Sequence, residues 1–187
     1  IYLKSMAFFL ATIAFANANE FQSELEALAK GRAGEVASAS EVIAAIKAQN
    51  IETAGYDQAK IDELDKAWRA EADAADQPMM DMLLENDLSA YLADVQSESG
   101  GLFTEIFVMD AKGLNVGQSD VTSDYWQGDE AKWKETFLAG KGSVHVGDLE
   151  KDDSTQQLQS QVSLPVTDPE TGENIGAVTF GVNVENL

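Results

Sequence analysis

The 187-residue chain has no cysteine, one histidine, three prolines, and only 12 basic side chains against 33 acidic ones. Without cysteine there is no disulfide framework and no thiolate-based zinc or redox site. The formal charge of −21 repels phosphate backbones and anionic lipid, which sets nucleic-acid binding aside. A Ser-His-Asp triad has only His145 to draw on, and the chain carries no Gly-x-Ser-x-Gly elbow and no phosphate-cradling glycine loop. Paired carboxylates are plentiful but undirected, so counting acids does not separate a glycosidase from a solvated surface. The chain reads as non-catalytic, with no cofactor and no metal.

What is present suits a folded domain. Hydrophobic residues make up 44% of the chain, enough to build a core despite the charge. The acids are not a tail: residues 19–100 carry a net −12 and residues 101–187 a net −10. Such an even coat keeps a secreted protein soluble, and its field favours cations in general.

Lys4 precedes an apolar run, Met6 to Ala16, and then Ala16-Asn17-Ala18. A positive start, a short apolar stretch and small-x-small residues predict a signal peptide over 1–18, cleaved after Ala18, and export to a Gram-negative periplasm. The run of eleven residues is short of the ~20 a membrane-spanning helix needs. An N-terminal anchor or a packed amphipathic segment is the other reading of the same residues.

From Glu20 to about Ser97 the apolar residues recur at helical spacing. Phe21, Leu25, Leu28 and Ala29 form one stripe, and Val36, Val42, Ile43 and Ile46 continue it; Gly31 and Gly34 are possible breaks. Asn50–Asp57 reads as a turn. Asp57 is the expected N-cap of a helix carrying Ile61, Leu64 and Trp68. A further helix is predicted from Pro78 to the glycines Gly100-Gly101. Beyond them the period falls to two. Glu105–Asp110 and Leu114–Gly117 form a hairpin about Ala111-Lys112-Gly113. A loop follows from Gln118 to Gly128. Asp129 is the expected cap of a short helix bearing Trp133 and Phe137. Strands about Val144–Val146, Leu158–Val166 and Val178–Val184 complete a β-β-α-β-β-β order. The expected class is α+β: helices over 19–100, then over 101–187 one antiparallel sheet with a helical crossover between its second and third strands, the helices and sheet forming one folded unit.

This order resembles the extracytoplasmic Cache sensor domains, also called PDC or PAS-like sensors. Three segments carry the likeness. Phe107-Val108-Met109-Asp110-Ala111-Lys112-Gly113 looks like the first hairpin, and Asp124-Tyr125-Trp126-Gln127-Gly128-Asp129-Glu130 like the ligand loop. Ser163-Leu164-Pro165-Val166-Thr167-Asp168, with Gly172 and Ile175-Gly176-Ala177-Val178, looks like the closing hairpin. The resemblance implies a five-stranded PAS-like sheet and a small ligand held between that sheet and the 118–133 loop and helix. It implies a part in signal transduction such as chemotaxis. A stand-alone single-Cache periplasmic protein is the expected form. An ectodomain of a transmembrane chemoreceptor or histidine kinase, and a non-catalytic interaction module using the 20–97 surface, are the alternatives. A partner receptor or a homodimer formed through the N-terminal helices is a further expectation.

The candidate ligand-binding residues are Asp124, Tyr125, Trp126, Asp129 and Trp133, joined by Asp110 and His145. Aromatic faces beside carboxylates suit an ammonium group, so an amine or amino acid is one expected ligand, with Tyr125, Trp126 and Trp133 as walls. Core packing of Trp133 and helix capping by Asp129 are the plainer readings. Lys112, Lys132 and Lys134 are the groups for a small carboxylate. Asp148, Glu150, Asp152 and Asp153 offer hard oxygen ligands without EF-hand spacing, so a charged hairpin tip is expected there.

Overall fold

The computed structural model describes residues 19–151 and 157–187. The expected signal peptide, and the polar turn at Asp152–Thr155 with Asp153, lie outside the described residues.

Among the described residues six helices precede the sheet: α1 (Gln22–Lys30), α2 (Arg32–Ala37), α3 (Ser40–Thr53), α4 (Gln58–Glu71), α5 (Pro78–Leu84) and α6 (Asp87–Ser97). The first break falls at Gly31, while Gly34 lies inside α2. The predicted turn at Asn50–Asp57 is shorter, because α3 continues to Thr53. Asp57 caps α4 as expected, its Oδ1 accepting the Lys60 N–H at 2.9 Å. The helix predicted from Pro78 is two helices. Asn86 divides them, accepting the Ser89 N–H at 2.8 Å as the N-cap of α6. Its amide also donates to the Val116 carbonyl at 2.9 Å, tying the corner to the sheet. An asparagine that bonds local backbone competes with helix continuation. None of the described helices is long and apolar enough to cross a membrane.

The sheet is antiparallel. Its long strands are β1 (Phe103–Met109), β2 (Asn115–Gln118), β5 (Leu158–Thr167) and β6 (Asn174–Asn183), with two-residue strands β3 (His145–Val146) and β4 (Glu150–Lys151). The order is β2-β1-β6-β5-β3, and β4 also pairs with β5. The short β4 is an addition to the five strands expected. Between β2 and β3 the chain crosses through α7 (Ala131–Trp133) and a π-helical turn at Lys134–Leu138. Glu130 holds the α7 cap position rather than Asp129, with no side-chain capping bond.

Alternation along the strands gives the sheet two unlike faces. One carries Ile106, Val108, Val162, Leu164, Val166, Val178, Phe180 and Val182. It packs on Leu25, Ala33, Val42 and Ile46 of α1–α3 and on Leu88 and Leu92 of α6. Each fully buried side chain of this size contributes ~1.5–3 kcal/mol, so this is the layer that holds the fold. The other face looks toward the crossover.

Candidate functional site

The β1–β2 turn is built around Asp110, which is fully buried. Its Oδ1 accepts the N–H groups of Lys112 at 2.8 Å and Leu114 at 2.9 Å, an Asx-type turn. Its Oδ2 accepts Thr53 Oγ1 at 2.8 Å and Gln49 Nε2 at 3.2 Å, both from α3. The carboxylate is thus taken up by four protein donors and positions the hairpin against the helices. Gly113 turns here at φ +83°.

The 119–130 loop is held by a residue with no counterpart in the sequence reading, Asp65 of α4. Its Oδ1 receives the backbone N–H groups of Tyr125 and Trp126, each at 3.0 Å. Its Oδ2 accepts Arg69 Nε at 2.8 Å. Arg69 reaches on to Asp124 Oδ1 at 2.6 Å, so the cation that meets Asp124 belongs to the chain itself. Trp126 lies across the hairpin turn, donating from Nε1 to the Lys112 carbonyl at 2.8 Å. Gly113 and Gly128 leave the room it occupies. Tyr125 turns the other way, stacking on Trp68 with centroids 5.6 Å apart. Burial pushes its phenol well above the usual range, and Asp110, Tyr56 and Glu52 add to the shift. Asp129 is exposed at the surface.

Under the crossover, Trp133 packs on Phe107, Met109 and Ala177 and stacks on Phe137 at 4.9 Å. Its Nε1 donates to the Asp110 carbonyl at 3.1 Å. His145 faces this side of the sheet, away from Val144 and Val146. Its Nδ1 lies 2.9 Å from Glu135 of the π turn.

Beyond the Trp133 cluster the crossover face turns small and polar. Register places Thr179 opposite Phe107 and Ser163 opposite Thr179, and the two hydroxyls bond at 2.9 Å. Gln118 pairs with Phe107 from the β2 side. Buried Gln118 Nε2 and Asn115 Oδ1 have no protein partner among the described residues. Lys132 reaches over this face, its side chain only 14% exposed. Its ammonium lies 5.4 Å from the Phe107 ring centroid and 2.9 Å from Glu130. Beside it opens a cleft of about 200 Å³ lined by Glu130, Lys132, Asp148, Glu150, Gln159 and Gln161 among others. Lys112 and Lys134 lie outside this lining. Asp148 and Glu150 meet the cleft as rim carboxylates, and no metal-ligating group of three His, Asp or Glu side chains forms among the described residues.

The seven residues singled out from sequence therefore do not share one cavity. Asp110, Trp126 and Trp133 meet at the hairpin turn, Asp124 and Tyr125 lie against α4, and His145 sits across the crossover. The legible signal for the polar face was Gln161 and Ser163 alternating with Val162 and Leu164. Asp65 had no signal of its own, being one carboxylate among many on a charged helix.

No family model matches the chain, and a search of curated proteins returns no match. Among solved structures the chain is similar to the V. cholerae histidine kinase DctB sensor domain, with 13% identity and a TM-score of 0.45 over 89% of this chain and 56% of that one. It is similar also to the ligand-binding domain of the Pseudomonas aeruginosa amino acid chemoreceptor PctC in complex with GABA, at 17% identity, TM-score 0.37, 66% of this chain and 51% of that one. A third is the ligand-binding domain of Campylobacter jejuni chemoreceptor Tlp3 in complex with 4-methylisoleucine, at 15% identity, TM-score 0.40, 79% and 62%. The chain spans half to three fifths of the length of these solved domains. Its strand order, and the helical crossover between its second and third strands, give the chain the α+β architecture expected from the sequence.

Proposed function

We propose that the protein is a periplasmic sensor domain that binds a small zwitterion of the amino-acid class between its sheet and the 118–133 segment. The observation that carries this reading is the contrast between the two sheet faces. The opposite face packs mainly apolar side chains against the helices. This one carries Ser163 and Thr179, which bond each other, Lys132, which pairs with Glu130, and Gln118, whose Nε2 has no protein partner among the described residues. Leaving such a group unmet is costly.

The division of labour follows from charge. The Lys132 ammonium takes the ligand carboxylate in a charge-assisted bond. Glu130, released from Lys132, meets the ligand ammonium together with Asp148. A cleft of about 200 Å³ is small for a drug-sized molecule and suits a single amino acid. Phe107 lies next to the Lys132 ammonium, its ring centroid 5.4 Å away. Trp126, Asp110 and Asp124 shape the segment without touching the ligand. Because the loop is tied to α4 through Asp65, a ligand that moves the 118–133 segment also moves the helical half.

A thermal-shift screen over amino acids, amines and organic acids tests this. A binder that engages only the folded state raises the melting temperature by mass action. The expected hit is an amino acid whose shift disappears in Lys132→Met. A panel with no response, or a hit unaffected by Lys132→Met, overturns the reading.

A further inference from the structure

A second cavity, larger than the cleft at Lys132, lies on the helical side of β2. Its volume is about 440 Å³, and Leu64, Met79, Met82 and Leu83 of α4 and α5 form its apolar walls. Two phenols, Tyr56 and Tyr125, face it, and Glu52 is the one charged side chain in its lining. The other polar groups there are engaged elsewhere. Gln49 donates to Asp110 and to the Asn115 carbonyl, and Asn86 donates to the Val116 carbonyl. Glu52, by contrast, makes no ion pair or hydrogen bond among the described residues, and neither phenol hydroxyl does.

We propose that this cavity is a separate binding site for a hydrophobic monoamine, an arylalkyl or alkyl ammonium. Thioether and aliphatic walls take hydrocarbon, and methionine adapts to its shape. The carboxylate of Glu52 takes the ammonium, and the two phenol rings offer their electron-rich faces to it. An anionic or zwitterionic ligand is disfavoured, because among the described residues the lining holds no cation to meet a carboxylate. The net charge of −21 adds a field that favours a cation. The site is distinct from the Lys132 cleft, with which it shares no lining residue.

The test is isothermal titration calorimetry of the full chain with 2-phenylethylammonium, and with neutral 2-phenylethanol as the uncharged counterpart. Saturable binding of the ammonium is expected, with the alcohol about tenfold weaker or more. Glu52→Gln should weaken the ammonium about tenfold and leave the alcohol unchanged. Met82 is 74% exposed, so Met82→Lys keeps the fold and places a repelling charge at the mouth; it should weaken the ammonium as well. Lys132→Met should leave both affinities as they are, which separates this site from the amino-acid site. Absence of saturable binding overturns the proposal. So does equal affinity for the alcohol, or an affinity indifferent to both Glu52→Gln and Met82→Lys.

Discussion

The carboxylate of Asp65 on α4 accepts the backbone N–H of Trp126 at 3.0 Å across 61 positions of sequence. The same oxygen accepts the Tyr125 N–H. The bond joins the helical half to the loop that leads into the crossover. Asp65→Ala leaves both N–H groups without their acceptor and should cost ~1–3 kcal/mol. Asp65→Asn keeps one carbonyl acceptor and should cost less. Urea denaturation of the two variants checks the order; equal stabilities would show that the bond does not hold the loop.

Asp110 presents a harsher case, since four donors converge on a fully buried carboxylate. Asp110→Ala strands them all and should destabilise by about 3 kcal/mol or more. For a chain of this size each kcal/mol lowers the melting temperature by ~2–4 °C. Asp110→Asn should fall between alanine and wild type, because its Oδ1 still serves the turn. A melt within about 2 °C of wild type for the alanine variant contradicts this account.

Gly128 lies where a Cβ would sit inside contact distance of Trp126 Nε1 and Cε2 and 3.0 Å from the Lys112 carbonyl. Gly128→Ala should therefore cost ~1–3 kcal/mol by overpacking. Combining it with Trp126→Ala removes the atoms it strikes, so the double variant should be more stable than the sum of the single losses implies. Strict additivity in the cycle would disprove the contact.

Asp168 and Lys47 give a pH signature. The Asp168 carboxyl is held below the usual carboxylate range, first by the Glu170 backbone N–H and then by the Lys47 ammonium. Its stabilisation is present above the unfolded carboxylate value of about 3.9 and is lost as pH falls through the lower folded value. The Lys47 ammonium is held above its ordinary value, chiefly by Asp168 and then Glu170. That contribution is full below about 10.4 and is lost as pH rises through the higher folded value. Asp168→Asn should flatten the acid limb of the stability profile, and Lys47→Met should flatten the alkaline limb. Denaturant melts across both limbs measure this, and unchanged slopes would count against the pair.

Much of the fold was legible because its causes are local. The change of apolar spacing after Gly100-Gly101 marked the passage from helix to sheet. Asp57 announced its helix start by its type and place. The Asp110–Gly113 turn was readable from turn chemistry alone. Where reading failed, a local rule had a competitor. Asn86 split a helix whose apolar stripe runs straight through it, because its side chain bonds both the α6 N-terminus and β2. Asp129 has a cap's identity, but the helix starts one residue later than its side chain can serve.

The candidate site divides the same way. Sequence by itself determined the alternation that makes one sheet face mainly apolar and the other mixed, since neighbouring strand residues must point to opposite faces. It determined too that aromatic and acidic residues crowd 124–133. Only the tertiary structure decided which partner each of them meets. Asp124 met Arg69, Trp126 met the Lys112 carbonyl, Asp110 met Thr53, and Lys132 came to lie over Phe107. A side chain's type states what it needs; long-range packing chooses who supplies it, and in a chain with 33 carboxylates no local rule can single out the one that closes a loop.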